Sequence, residues 1–320
     1  MKVLAHIHTF NDEDVIDRSL QAILDQTWSI PEVLLIDNAS TDGTLKRYFP
    51  AQVTVLRHPK NLGTNGAVIS GFQYAMEHRY DWIWLFDADT APHPDALQQL
   101  LSLYATFPEE VQRQTWRLSS LPIDSVTKRP NHGCTFTWFG ITPVHPRPGQ
   151  VYYECDASIW TGSLFKLEAV QRVGLPSPDY VLDMGEFAYS YHGKKGGYRS
   201  FVHQESVVDH NIGGEAGLSY TQYRFGGFTW KLRELSPIRC YYLTRNYLYF
   251  VLYVYQEGRF IPSIVCILRM VKLIGNFFLR LNSRWPQFTA CIHGLHDGLL
   301  KKMHRRYGDE DPRAHSYTQR

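Results

Sequence analysis

A chain of 320 residues is long enough for one large or two modest domains with a real core. Hydrophobic residues at 44% and charged residues at 20% exclude a disordered chain, and 14% aromatics suit a protein that handles sugar rings, meets a membrane interface, or simply packs its core densely. The net charge of +2 hides an asymmetry: nine Lys/Arg against one acid between Gly258 and Arg306 make that stretch +8 and the remainder −6.

Met1–Thr9 reads directly as a strand (Val3–His8), with no long apolar leader and no small-residue cleavage site, so no secretory signal is expected. Asp12–Gln26 carries Val15, Ile16, Leu20, Ile23 and Leu24 at helical spacing, with Asn11 or Asp12 as cap. Glu32–Ile36 is a second strand and Gln52–Arg57 a third. A helix over Asn65–His78 opens behind Gly63 and Gly66. Trp82–Phe86 is a short apolar strand that stops at Asp87-Ala88-Asp89. Strands alternating with helices, each strand ending in a polar cluster, predict an α/β fold: a mostly parallel open sheet flanked by helices, with its ligand at the carboxyl edge.

From Phe107 to Pro148 the periodicity is poor, which suggests a mixed segment with hairpin character. Order returns at Ala157–Leu175 and Tyr180–Gly193. After Ser219 the composition shifts to Tyr, Arg and long apolar helices. The expected organisation is 1–105, a first half carrying the polar strand ends; 106–218, a second half of the same domain; and 219–320, a helical, basic C-terminal extension. Five cysteines (Cys134, Cys155, Cys240, Cys266 and Cys291) lack CxxC spacing, so a reduced cytoplasmic setting is expected rather than a zinc site or a disulfide framework.

Two carboxylates at i, i+2 just past an apolar strand, Asp87 and Asp89, can both reach one hard divalent cation. That ion then takes the diphosphate oxygens of a nucleotide. Two acids in a loop are more often solvated surface; the apolar strand before them argues for the cation. Asp37-Asn38-Ala39-Ser40-Thr41-Asp42-Gly43-Thr44 follows the second strand. It presents Asp37 to a base or ribose, while Ser40, Thr41 and Asp42 cap the next helix. Simple capping accounts for Ser40, Asp42 and Gly43 but less well for Asp37, which stands directly after Leu34-Leu35-Ile36. Asn61-Leu62-Gly63 after the third strand allows backbone to approach a ligand; it is neither a P-loop nor a dinucleotide fingerprint.

Together Thr9-Phe10-Asn11, Leu20-x-Ala22-Ile23-Leu24-x-Gln26-Thr27, Asp37–Thr44, Asn61-Leu62-Gly63 and Asp87-Ala88-Asp89 resemble the family 2 glycosyltransferases of GT-A fold. The likeness continues through Thr161–Phe165, Val173–Pro176, Asp183–Phe187 and Val208–Gly213. Cys240-Tyr241-Tyr242-x-x-Arg245-Asn246 is similar to the rhamnosyl- and galactofuranosyltransferase branch. The resemblance implies an inverting transferase dependent on Mg²⁺ or Mn²⁺, with 1–105 as its nucleotide-sugar-binding half and 106–218 as its acceptor-binding half. Its donor-binding set would be Thr9, Asn11, Asp37, Asn38, Arg57, Asn61, Gly63, Asp87, Ala88 and Gly162. Asp89, with Asp87 and His210, would hold the metal. A lone loop histidine is more often structural; beside the paired acids His210 is expected as a ligand.

Inversion needs a carboxylate to take the acceptor hydroxyl's proton. The family pattern acid-acid-x-acid is broken here by Met184, which leaves Asp183 and Glu186 as catalytic candidates. Asp183 is preferred as base, with Glu186 orienting the acceptor; the competing reading is a pair of acids favoured by a helix N-terminus. The implied donor is a dTDP-rhamnose or UDP-hexose, and the acceptor a saccharide or lipid-linked saccharide in cell-wall or O-antigen polysaccharide synthesis.

In the tail, Ile264–Leu281 is apolar apart from Arg269, Lys272, Asn276 and Arg280, which form one polar stripe. Lys301, Lys302, Arg305 and Arg306 add charge. Such a helix either lies in an anionic membrane interface, placing the protein peripherally on the inner face of the cell membrane, or packs on its own domain or a second copy in a homodimer. No nucleic-acid module is recognised. Rival readings are a sugar nucleotidyltransferase, which would open with a Gly-rich basic loop where this chain has Thr9-Phe10-Asn11-Asp12-Glu13-Asp14, and a non-catalytic carbohydrate-binding protein on the same fold.

Overall fold

The computed structural model describes residues 1–211, 220–233, 235–255 and 284–303, together with 263–265, 267, 268, 271 and 275. Two units are formed: Met1–Thr135, Ile141–Pro178 and Glu186–Gly214 make the first, and Phe136–Gly140, Asp179–Gly185 and Glu215–Arg320 the second.

The apolar runs of the N-terminal third become neighbouring parallel strands. These are β1 (Val3–Thr9), β2 (Glu32–Asp37), β3 (Val53–Arg57) and β4 (Trp82–Asp87), connected through α1 (Ile16–Leu24) and α2 (Gly63–Glu77). Strands covered on both faces read as continuous hydrophobic runs, and every residue of β1 is buried. Alternation divides the core. Val3, Ala5, Ile7, Trp84 and Phe86 pack with Ile16, Leu20 and Ile23 of α1 on one face. Leu4, Leu34, Ile83 and Leu85 pack with Val68 and Phe72 of α2 on the other. β5 (Thr90–Pro92) is followed by α3 (Ala96–Thr106), α4 (Glu109–Gln114) and β6 (Thr115–Asp124). After the hairpin β7 (Cys134–Thr137) and β8 (Gly140–Pro143) come β9 (Tyr152–Glu154), β10 (Ser163–Lys166), α5 (Leu167–Val173), α6 (Gly185–Lys195) and β11 (Arg199–His210). The main sheet runs β3-β2-β1-β4-β10-β6-β11-β5, with β9 beside β11. It is an α/β sheet flanked by helices, as the alternating pattern predicts.

Three local expectations are corrected. The first helix starts at Ile16 rather than Asp12, because the Asp12 carboxylate turns back to accept the Thr9 hydroxyl and the Phe10 N–H, each at 2.9 Å. No helix follows Asp42. Its carboxylate accepts the Thr44 N–H (2.9 Å) and the Glu13 N–H (3.3 Å), and Thr44 Oγ1 accepts the Asp12 N–H (2.9 Å), so the polar string braces the β1–α1 loop. The third is the ten-residue central strand β6 inside the segment read as mixed; the hairpin expected there is β7–β8. Arg117 in β6 is fully buried and donates to Ser190 Oγ (2.9 Å) and the Asp156 carbonyl (3.2 Å), while Ser119 and Ser120 are also buried. Arg117, Ser119 and Ser120 interrupt the buried Trp116, Leu118 and Leu121, so no continuous apolar run marks this strand in the sequence.

In the second unit, β12 (Tyr220–Phe225) and β13 (Phe228–Arg233) form a hairpin ahead of α7 (Pro237–Tyr249), which continues as a π-helical turn over Phe250–Val254. Ser236 caps α7 by accepting the Arg239 N–H, with proline at the first helical position. α7 packs on α8 (Arg284–Leu299) through Tyr241, Tyr242, Ala290 and Cys291. Gly294 and Gly298 permit this close crossing, because an added Cβ would stand 2.6 Å from the Tyr241 carbonyl and 2.9 Å from that of Arg245. Among the described residues no helix is long and apolar enough to cross a membrane. Ser263–Val265, Ile267, Leu268, Val271 and Gly275 are helical. The stripe residues Arg269, Lys272, Asn276 and Arg280, and Arg305 and Arg306, lie outside the described residues.

Candidate active site

Parallel register brings the strand ends of the first unit to one edge. Thr9 pairs with Asp37, Asp37 with Arg57, and His8 with Asp87. At one end of this edge, the fully buried Asp37 carboxylate accepts the Ser40 N–H (3.1 Å) and pairs with Arg57 Nε (3.2 Å). Arg57 also donates to the Ser40 carbonyl at 2.8 Å. Asn11, in left-handed backbone with φ 58°, ties the next loop in. Its N–H donates to Ser40 Oγ and its Oδ1 accepts the Thr41 N–H (2.8 Å). Asn38 Oδ1 bonds His58 Nδ1 (2.9 Å), whose Nε2 bonds Ser70 Oγ (2.9 Å), while Asn38 Nδ2 donates to the Gly63 carbonyl. Asn61 Oδ1 accepts the Gly63 N–H at 2.7 Å. The result is a buried carboxylate and a buried amide at adjacent positions, both held by partners within the protein.

At the other end of the edge, β5 pairs antiparallel with β11, and this sets His210 opposite Thr90. His210 Nε2 lies 3.7 Å from Asp87 Oδ2 and 3.6 Å from Asp89 Oδ1, and one ligand atom from each residue falls within 4.8 Å of the others. Two carboxylates and an imidazole, all partly exposed, are a mixed oxygen and nitrogen donor set able to take a divalent ion. Ligand bonds of about 2.1 Å span pairs of this separation, so the residues fit the ion. Electrostatics agree. Burial pushes the Asp89 carboxyl up to about 6; His210 opposes this, and the Asp87 and Asp12 charges add to the rise. Burial also acts against Asp87, but the hydrogen bond and charge of His8, followed by His210 and His6, outweigh it and hold that carboxyl below its ordinary range. Asp89 is thus a carboxylate held at a cost that a cation would remove.

Other predicted donor residues are placed around this edge. The Ala88 carbonyl accepts the Ser19 hydroxyl, and the Asp87 N–H donates to Thr161 Oγ1 (3.1 Å). Gly162 spends both peptide groups in the sheet: its N–H on the Leu85 carbonyl, its carbonyl on the Ser120 N–H. Sequence reading missed His8, whose Nε2 lies 3.1 Å from Asp87 Oδ1, and His58, which fixes Asn38. Two histidines alternating within an otherwise apolar strand were the available signal for His8; His58 had none.

The base candidates fall in different units. Glu186 belongs to the first, in the opening turn of α6. Asp183 belongs to the second, where Asp183 Oδ1 pairs with Arg239 Nη2 at 3.0 Å. Asp183 and Met184 both take left-handed backbone, with φ 56° and 66°.

Residues 5–173 match the family described as glycosyl transferase family 2. Residues 1–349 of S. aureus TarS superpose with a TM-score of 0.57 at 12% identity, covering 95% of this chain and 82% of that one. The same TarS fragment in complex with UDP-GlcNAc gives 0.56 at 14% identity. GalNAc-T7 with UDP, GalNAc and Mn²⁺ gives 0.55 at 18% identity, covering 71% of this chain and 45% of that one. The fold is that of the GT-A glycosyltransferases. The chain belongs to glycosyl transferase family 2. An undecaprenyl-phosphate mannosyltransferase from Micrococcus luteus is 34% identical over 113 residues, 33% of this chain and 45% of the relative's length.

Proposed function

We propose that the protein is a metal-dependent inverting glycosyltransferase. It moves one sugar from a nucleotide-sugar donor to a hydroxyl of a saccharide or lipid-linked saccharide in surface-polysaccharide synthesis. The observation that carries this reading is the convergence of Asp87, Asp89 and His210 on the strand edge that also holds Thr9, Asp37 and Arg57. Asp37, Asn38 and Thr9 hold the nucleoside; Arg57, braced on Asp37, and the Asn61–Gly63 turn close around it. Asp89, Asp87 and His210 would hold Mg²⁺ or Mn²⁺, which supplies neutralisation of the charge on the leaving diphosphate. Asp183 takes the acceptor hydroxyl's proton as that oxygen attacks the anomeric carbon, and Glu186 orients the acceptor. The UDP-bound and Mn²⁺-bound neighbours support the donor and the metal, and the mannosyltransferase relative supports a lipid-linked acceptor.

The C-terminal string ending in Arg245-Asn246 favours dTDP-rhamnose; the neighbours make a UDP-hexose the second choice. A thermal-shift screen of dTDP- and UDP-sugars with Mn²⁺ tests the reading. A donor at one hundred times its Kd adds about 2.7 kcal/mol to the native state, which appears as a raised Tm. A shift given by nucleoside triphosphate but by no nucleotide sugar points instead to a nucleotidyltransferase. Donor binding without Mn²⁺-dependent turnover points to a carbohydrate-binding protein.

The tail supports a peripheral membrane surface at the inner face of the cell membrane. Ile267, Leu268 and Val271 share one helical face and are 59%, 62% and 62% exposed, in a stretch whose sequence carries a net +8. Charge reversal at Arg269, Lys272 and Arg280 is expected to release the protein from vesicles containing anionic lipid, with the wild-type attachment strongly salt-dependent. Equal vesicle binding by both proteins would leave packing, or a second copy, as the role of this helix.

A further inference from the structure

Resting on the assignment of Asp183 as base, we propose that Arg245 and Asn246 are positioning residues that fix the Asp183 segment in the conformation from which its carboxylate acts. Two successive non-glycine residues, Asp183 and Met184, lie in left-handed backbone at φ 56° and 66°. That region is uphill for both, so it persists only where the surroundings impose it. The second unit supplies the restraint from one helix. Asn246 on α7 is fully buried, and its Nδ2 donates to two consecutive carbonyls, Leu182 at 2.7 Å and Asp183 at 3.0 Å. Its Oδ1 accepts from Arg245 Nε at 2.8 Å, which fixes the amide orientation. Arg245, also fully buried, donates through Nη2 to the Asp179 carbonyl at 2.6 Å and stacks over the Tyr242 ring at 4.8 Å.

Seven residues earlier on the same helix, Arg239 pairs with Asp183 Oδ1 at 3.0 Å. α7 therefore holds the segment at three main-chain carbonyls and at one carboxylate oxygen. The other oxygen, Asp183 Oδ2, is buried with no hydrogen-bond partner among the described residues, so its capacity to accept a proton is unspent. The sequence string Cys240-Tyr241-Tyr242-x-x-Arg245-Asn246 thus gains a physical purpose. Its last two residues act on the base through the main chain and touch neither donor nor metal in this assignment.

A double-mutant cycle between Asn246 and Asp183 tests this. Hydrolysis of the donor with Mn²⁺, with water as the hydroxyl acceptor, is followed for dTDP-rhamnose, UDP-glucose and UDP-galactose, and donor affinity is measured by calorimetry. Asn246→Leu keeps the branched shape and removes the hydrogen-bonding groups. It is expected to lower kcat about 10²-fold, the scale of a small misplacement of a reacting group, with donor KM and affinity unchanged. In the Asp183→Asn background the same substitution is expected to cost nothing further, because the group it positions is gone. Asn246→Ser, with its fold checked by thermal melting, gives the same reading where leucine impairs folding. An equal loss in both backgrounds, or a loss of donor affinity, makes Asn246 merely structural and overturns the proposal while the base assignment stands. Full hydrolysis by Asp183→Asn, or none by the wild type with any of the three donors, removes the base assignment and this proposal with it.

Discussion

Asp89→Ala is expected to abolish metal-dependent donor binding and to leave the fold intact. Calorimetry with Mn²⁺ and the donor selected by the thermal-shift screen should show wild-type binding that vanishes on chelation, and a variant that resembles the chelated wild type. The electrostatics give this a second, less obvious consequence. Asp89 carries its charge against burial and against the neighbouring Asp87 and Asp12, which raises its carboxyl to about 6. A raised carboxyl means that the metal-free fold prefers the protonated form more than the unfolded chain does. Between about 6 and the ordinary carboxylate range, falling pH should therefore stabilise the metal-free protein, and the ionised group is a net burden at pH 7. Removing it should leave the chelated protein at least as stable at pH 7 by denaturant unfolding. Mn²⁺ affinity should fall as the pH drops through about 6, as protons compete for the same oxygen. Full transfer activity in chelator, or in Asp89→Ala, removes the metal from the mechanism.

Asp183→Asn is expected to lower transfer by about 10²–10⁴-fold, the usual contribution of a positioned general base, with donor and metal affinity near wild type. Asparagine is nearly isosteric and can still meet Arg239, so a large loss of stability would mark the carboxylate as structural. Glu186→Gln should act through acceptor affinity rather than turnover. If instead Glu186→Gln is dead with donor affinity unchanged and Asp183→Asn turns over normally, the roles are reversed. The experiment also separates acceptor classes. A hydroxyl must lose its proton as it attacks, whereas a lipid phosphate is already ionised near neutral pH and needs no base. Normal transfer to undecaprenyl phosphate by both variants would therefore place the acceptor with that of the Micrococcus luteus relative.

The sequence by itself determined the sheet and its ligand edge. β1, β2 and β4 are buried on both faces; β2 and β4 therefore appear as apolar runs that stop at Asp37 and Asp87, while β1, interrupted by His6 and His8, stops at Thr9. The pairing of Asp87 with Asp89 and the family string around them were equally legible, because both are local. What could not be read depends on partners far away in the chain. β6 is invisible because Arg117 is satisfied by Ser190, 73 positions on, and periodicity records apolar exposure rather than hydrogen bonding. The polar string after Asp37 looked like a helix cap, yet it spends itself on the β1–α1 loop about thirty positions back. Asp183 and Met184 take left-handed backbone that no glycine announces, and the hydrogen bond that meets the Asp183 carbonyl comes from Asn246, 63 positions later. Local patterns fixed which residues face a core or a cap, whereas the orientation of each carboxylate was decided by hydrogen bonds that only the folded chain can close.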